Sequence, residues 1–592
     1  MKVPASRHEL EKHDHRMEGW QAHLAPALLA AVILGGWPVG AQDEPPPVFV
    51  ERVDVDVVNI EVFVFDKQGN RLTGLSQEDF EILEDGKPVE ISNFYAVARR
   101  ERLERTLETG RLPEESMPSE DLQLLPTDRQ LNLAVYVDNF NLRGSSRNRV
   151  LDDLEVFLED RIRLGDNVML IEALRGAEVV QPFTRDWMSI AEGLREMRKS
   201  ATYRQQDESA IRRNIRSMIL AAGQESPRRA HDIVRSYVEQ AKGDLRRSAA
   251  TLRDTVRSLA GLPGRKALLY VSEGLPQRPG EELYQQLDAI FSDLALSTAR
   301  SPGGVIDPSL EAVNEDESGL FNDIVREANA HQVTFYTLDA SGSGGMSGLS
   351  AASGGTDIAG FGGRVAFDNL RKQNLQQPLI EMAEGTGGTS ILDSFNFGSV
   401  LDRLADDFDS FYSLGYSPEG NGASRYRDIE VRVKSPGFEV RHRTGYLHKA
   451  PEERIADRTL SSLYADLEKN PLAVEIDFGD WEKMGRNQFN LPILVRVPLS
   501  QITLLPSGDS HEGRLRIYVA VKDEEGAISD VHEQVYPVSV PAAMLEEAMT
   551  REAGYAVTLL VRGGLPKVAV GVWDEVSGVD SFVHKETRVG DR

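Results

Sequence analysis

The sequence predicts an α/β core, built as a doubly wound, mostly parallel sheet with a helical insertion, and flanked on both sides by β-sandwich material. Three observations predict it. Leu131 to Val137 is a continuous apolar run that stops at Asp138 and passes through Gly144-Ser145-Ser146 into a helical stretch. There Val150, Leu151, Leu154, Phe157 and Leu158 recur on one face. Runs of the same kind, Asn167 to Leu174, Glu178 to Phe183, Lys266 to Ser272 and Val333 to Leu338, are separated by helical sequence, the mark of a sheet covered on both faces. Towards the C-terminus the apolar residues instead alternate strictly, as half-buried strands do.

Size and charge narrow the function classes. A chain of 592 residues exceeds the roughly 250–300 that one core supports, so several domains are expected. The 67 basic residues against 94 acidic ones give a net charge of −27, which argues against nucleic acid or an anionic membrane as partner. With no cysteine, thiolate-bound zinc, iron–sulfur chemistry, thiol catalysis, lipoprotein acylation and disulfides are excluded.

The elements follow in order. Leu24 to Gly36 is an apolar block closed by Trp37-Pro38 and the small residues Val39-Gly40-Ala41. The pattern predicts a signal peptide over 1–41, cut after Ala41, and hence an extracytoplasmic protein, whether periplasmic, envelope-associated or secreted. The block is shorter than the ~20 residues of a membrane span, so no transmembrane segment is expected in the mature chain. Lys2, Arg7, Lys12 and Arg16 are offset by Glu9, Glu11, Asp14 and Glu18, which leaves Met17 as an alternative start and a retained anchor as the plainer alternative to cleavage. A Pro-rich linker over 42–52 leads to a small β unit at 53–98, with a hairpin turn at Asp85-Gly86. Residues 99–129, charged and punctuated by proline, read as a linker.

The α/β domain spans 130–409. Its Arg-, Glu- and Gln-rich part, 186–262, reads as an inserted hairpin of two long helices standing off the sheet. The Gly/Ser-rich stretch 341–363 reads as a loop leaving the same sheet edge as Asp138, either a lid or a slack connection. Three strand-like segments occupy 410–448. A C-terminal β-sandwich is expected over 449–592, from the parity sets Leu491/Ile493/Val495/Val497, Leu515/Ile517/Val519/Val521, Tyr555/Val557/Leu559/Val561 and Val568/Val570/Val572. The β unit at 53–98 and the strands at 410–448 are each too small to close a core. One sandwich made from both, with the α/β domain inserted between its strands, is therefore expected.

Several stretches together carry a resemblance: VDVVNIEVFVFDKQGNRLTGLSQEDFEILEDGKPVEI, VYVDNFNLRGSSRNR, GRKALLYVSEGLP, LIEMAEGTGGTSI, and FYSLGYSPEG with RYRDIEVRVKSPGFEVRHRTGYL. From about Val53 to Tyr446 the chain resembles the exported von Willebrand factor type A (vWFA) related family described from acidobacteria. The resemblance implies a Rossmann-like vWFA domain flanked by Ig-like β-sandwich domains. It also implies a non-enzymatic module for protein interaction or adhesion, often with a metal-ion-dependent adhesion site. That site takes an Asp-x-Ser-x-Ser run, a Thr from a second loop and an Asp after the fourth strand.

Here Asp138 matches the first position, but Phe140 and Leu142 stand where the serines belong. Thr184 and Glu273 match the remaining two, with Glu for Asp. The metal set is therefore Asp138, Thr184 and Glu273, a degenerate site, with Asn141, Ser145 and Asp339 along the ligand-binding edge. No resident cofactor is expected, and Mg²⁺ or another divalent cation at most weakly. Plainer readings stand beside these: Ser145 or Ser146 as a helix N-cap, Thr184 as a turn residue, Asp138 and Glu273 solvated or paired with Arg143 or Arg147. The expected partner is a protein or polysaccharide. The rival functions are a structural subunit of an envelope assembly and a hydrolase pairing Asp138 with Glu273 or Asp339; neither a G-x-S-x-G elbow nor an H-E-x-x-H helix is present.

Overall fold

The computed structural model describes residues 57–98, 130–203, 217–219, 221, 227–288, 308–342, 361–394, 396–418, 424–465, 467, 469–524 and 526–590. The signal segment, both linkers and residues 343–360 of the Gly/Ser stretch lie outside them.

The first β unit comprises β1 (Val58–Phe65), β2 (Phe80–Glu84), β3 (Lys87–Val89) and β4 (Asn93–Ala98). The α/β unit follows with β5 (Leu131–Asp138), α1 (Gly144–Arg163), β6 (Asn167–Ala173), β7 (Ala177–Thr184), α2 (Trp187–Met197), α3 (Pro227–Ser258) and β8 (Arg265–Ser272). It continues through α4 (Pro308–Asn314), α5 (Ser318–Ala330), β9 (Val333–Asp339), α6 (Phe361–Gly385), β10 (Ser390–Ile391) and α7 (Phe397–Asp409). Then come β11 (Ser410–Tyr416), β12 (Arg425–Val433), β13 (Glu439–Arg441), β14 (Gly445–His448), α8 (Pro451–Ser461) and the C-terminal strands from β15 (Glu475–Phe478) to β23 (Asp580–Glu586).

The fold class is mixed α/β with several sheets. The central sheet runs β10-β9-β8-β5-β6-β7. All its pairs are parallel except β6 with β7, where Val168 lies opposite Thr184 and Ala173 opposite Ala177. Every residue of β5 is buried, which is why that strand reads as an unbroken apolar run. One face carries α1, α2 and α7 through Val150, Leu154, Ile190, Leu194, Leu401 and Leu404. The other carries α3, α5 and α6 through Leu252, Val256, Phe321, Ile324, Leu379 and Met382.

The inserted region differs from the expected free-standing hairpin. Its long helix, α3, buries Leu245, Ala249, Leu252, Val256 and Leu259 against the sheet, an apolar stripe at helical spacing beneath a strongly charged outer face. The charge of the segment had masked the stripe.

Strands from either side of the α/β unit pair with one another. β1 is antiparallel to β11 (Ile60 opposite Leu414) and to β13, and β4 pairs with β11 (Phe94 opposite Leu414). β2 pairs with β12, Ile82 opposite Val431. The resulting sheets, β13-β1-β11-β4 and β14-β12-β2-β3, share a core of Val58, Ile60, Val62, Phe80, Ile82, Leu414, Tyr416, Ile429 and Val431. This β unit sits at the amino ends of the parallel strands. Arg265, first residue of β8, donates twice to Glu61 at 2.8 Å and lies over the Phe411 ring. Arg161 holds Asp409 at 2.9 and 3.0 Å. The C-terminal strands form two sheets around one core, into which the parity sets Leu491 to Val497, Leu515 to Val519, Tyr555 to Val561 and Val568 to Val572 all point. Helix α8 ties this unit to α3. Ser461 Oγ accepts from Gly261 N and donates to Ser258 O, and a Cβ on Gly261 would fall 2.3 Å from the Arg458 backbone.

Candidate functional site

The parallel sheet delivers its carboxyl ends to one rim, opposite the end that meets the first β unit, and ligands of open α/β sheets gather at such rims. Asp138 ends β5 there. Its carboxylate is 3% exposed and enclosed by donors. Oδ1 accepts from the Asn141 amide N at 3.1 Å, and Oδ2 accepts from Asn141 Nδ2 at 2.8 Å and from the Tyr270 hydroxyl at 2.5 Å. Tyr270 stands near the end of the neighbouring β8, fully buried, its ring 5.6 Å from that of Tyr136. Burial and the adjacent Asp138 charge push its phenol well above the ordinary range. The proton therefore stays on Tyr270 and the hydroxyl remains a donor.

Glu273 lies beside this group, since its backbone N donates to Asn141 O at 3.2 Å. Its carboxylate is clamped by Arg143 Nε at 2.8 and 3.0 Å. Asp339 ends β9 on the same rim, also buried, accepting from Ser341 N at 2.8 Å and Gln376 Nε2 at 2.7 Å. Ser145 is exposed in the first turn of α1. Neither Ser145 nor Ser146 caps that helix, because the N-cap position is Arg143 and carries no side-chain cap bond.

Thr184 is elsewhere. β7 runs against its neighbours, so its last residue sits opposite Val168 at the amino end of the sheet. There Thr184 Oγ1 accepts from Asp186 N at 3.0 Å. The cause was readable: only Leu174 to Gly176 separate β6 from β7, enough for a hairpin and far too few for a parallel crossover.

Helix α2 carries the chain back to the rim, so the threonine that reaches it is Thr202. It is buried, and Oγ1 has no hydrogen-bond partner among the described residues. Next to it Tyr203 donates its backbone N to Asn139 O at 3.0 Å, and its ring stacks on Phe140 at 4.5 Å and 8°. The signal missed in the sequence is the return path. A helix after an antiparallel edge strand ends where the parallel strands end.

Arg147 lies buried beneath this loop, donating to Ser200 O at 2.8 Å, Arg198 O at 2.9 Å and Asn139 Oδ1 at 3.3 Å. Glu172 bonds the Asn139 amide, and burial raises its pKa. Phe140, Asn141 and Tyr203 open onto a groove of about 660 Å³ between α3, residues 275–282 and α6; Tyr237, Leu275 and Asn374 also line it.

The five-donor cation site that the resemblance implies does not fit these residues. Hard cations need oxygen ligands at ~2.0–2.1 Å in near-octahedral array. Phe140 and Leu142 offer none, Thr184 is at the far end of the sheet, Glu273 is held by Arg143 and Asp138 by Tyr270 and Asn141. Among the described residues no group of three or more His, Asp or Glu is placed to hold a metal ion. Nor is any described helix long and apolar enough to cross a membrane.

No protein-family model matches the chain, and no curated protein sequence matches it. Among solved structures, one similar chain is an aerotolerance-related membrane protein from Bacteroides fragilis, 11% identical over 47% of this chain and 98% of that one, at a TM-score of 0.21. Another is proximal thread matrix protein 1 from the mussel byssus, 10% identical over 48% of each chain, at a TM-score of 0.20. Likeness at this level carries no argument about fold or activity.

Proposed function

We propose that this protein is a non-enzymatic, extracytoplasmic binding module of the vWFA kind, with a degenerate adhesion site, that presents its carboxyl rim to a protein or polysaccharide partner. The stacked Phe140–Tyr203 pair at the mouth of the rim groove carries this reading. Tyr203 is 60% exposed, an aromatic face held flat by its neighbour where a sheet of this kind offers its ligand site. The groove falls within the ~300–1,000 Å³ usual for ligand sites. Export rests on the leader pattern up to Ala41.

Hydrolytic chemistry finds little support. Asp138, Glu273 and Asp339 are each engaged by fixed donors or an arginine, which leaves none poised as general acid or base. A second reading, a subunit of an envelope assembly, draws on one observation. At one end of the C-terminal β unit Trp481 and Met484 are exposed, Trp481 edge-on to Phe489, the kind of apolar spot that partners cover.

The test is capture of partners from cell-envelope extract and on a glycan array, by wild type and by a Phe140→Ala/Tyr203→Ala double variant. The rim reading expects a loss of at least about tenfold in the double variant, ~1.4 kcal/mol, with Trp481→Ala unaffected. Equal capture by the double variant, with loss in Trp481→Ala, would transfer the function to the C-terminal unit.

A further inference from the structure

We propose that the Tyr270 hydroxyl and the Asn141 amide take the place of a cation at Asp138, so that the rim is set in its working conformation by hydrogen bonds and needs no divalent metal. This deepens the reading of the rim as a binding face and rests on that reading only in taking this conformation as the one that binds.

The geometry is specific. A carboxylate offers about four lone-pair directions, and three of those on Asp138 are taken by Asn141 N, Asn141 Nδ2 and Tyr270 Oη at 3.1, 2.8 and 2.5 Å. Oδ2 already accepts from both Asn141 Nδ2 and Tyr270 Oη, so an ion bound to it at ~2.0–2.1 Å would have to displace one of these donors. Tyr270 has little room to withdraw, being fully buried against Tyr136. A rotated Asp138 would break both of its carboxylate bonds to Asn141 in a buried loop, which is costly.

The neighbours complete the substitution. Where two hydroxyls would have supplied ligands, Leu142 fills the core and Phe140 stacks on Tyr203. The second acid, Glu273, already has its counter-charge in Arg143. The two acids at this rim are thus met by a neutral phenol and amide at Asp138 and by a guanidinium at Glu273.

The experiment is titration of Mn²⁺ into the full-length protein by calorimetry, with circular dichroism to confirm folding. Four proteins are compared: wild type, Asp138→Ala, Phe140→Ser, and Phe140→Ser/Tyr270→Phe. Phe140 is partly exposed, and Tyr270→Phe removes only the hydroxyl, so both changes should leave the fold intact. Wild type is expected to give no saturable Asp138-dependent heat. Phe140→Ser/Tyr270→Phe should bind Mn²⁺ at least about tenfold more tightly than Phe140→Ser, because the freed carboxylate oxygen becomes a ligand. Micromolar, Asp138-dependent binding by wild type overturns the proposal. So does equal behaviour of the two Phe140 variants, including no binding by either. Partner capture plays no part in this measurement, so metal independence and the binding-face reading fail separately.

Discussion

Lys266 shows how one side chain sets a pH response. It stands second in β8, directly after Arg265, and its ammonium is buried, donating to Ala260 O at 3.3 Å and Leu262 O at 3.2 Å. Burial, reinforced by Arg443, Lys449 and Arg458 and opposed by Asp457, pushes its pKa from 10.5 down to about 7. Between those values the unfolded chain holds the proton and the folded one releases it. The stabilising contribution is therefore complete above pH 10.5 and is lost as pH falls towards 7. Wild type should gain roughly 2–3 kcal/mol over Lys266→Met between pH 7 and pH 9, at ~1.36 kcal/mol per pKa unit, read from guanidinium unfolding midpoints. Parallel pH profiles for the two proteins would show that Lys266 stays charged. At this scale the sequence is legible only in part. Asp138 stands out because an acid ends an apolar run. Tyr270 and Thr202 do not, because their meaning depends on which strand end and which helix return they occupy. Thr184 misleads for the same reason.

Among elements, direction matters more than existence. The apolar runs of β5, β6, β8 and β9 are visible as strands, and their burial explains why. β7 is visible too, yet its half-buried, polar-interrupted sequence and the short turn before it mark an antiparallel edge. That reversal decides which residues meet at the rim. The stripe of α3 was hidden by charge on its outer face. Junctions between elements are the least legible. The seat of α1 and α7 depends on Arg161, wholly buried, which bonds Asp166 at 2.7 Å and Asp409 through two nitrogens. No pattern in the sequence pairs positions 161 and 409. Removing Asp409 leaves Arg161 paired with Asp166 but takes the acceptor from Nη1 in a wholly buried site, so Asp409→Ala should cost roughly 1–3 kcal/mol. The exposed Arg163–Glu159 pair is the control, and Glu159→Ala should cost less than ~0.5 kcal/mol. Thermal unfolding of both variants checks the contrast, and equal midpoints would mean that Arg161 is solvated after all.

At the scale of the molecule, the α/β unit interrupts a β unit whose strands lie far apart in sequence. Tyr412 Oη donates to Leu72 O at 3.1 Å across 340 positions, and β1 completes the sheet that β11 and β13 begin. That each flank is too short to bury its own apolar face is legible in the sequence, because area can be judged from strand count. The register is not, since any two half-buried strands of matching length are compatible until their neighbours are known. Long-range pairing of this kind raises the entropic cost of closure before any contact rewards it, and the unit should form only after the α/β core has brought its two ends together. Deleting residues 1–129 should therefore strand Leu414, Tyr416, Ile429 and Val431 without β1 and β2 to cover them. The truncated protein should bind a hydrophobic dye and elute as aggregate, although the α/β core is untouched. Supplying residues 1–98 in trans should restore a monodisperse, dye-silent species, because the missing surface is a pair of strands and not a covalent link. A truncated chain that stays monomeric and dye-silent on its own would show that 410–448 folds without the N-terminal strands.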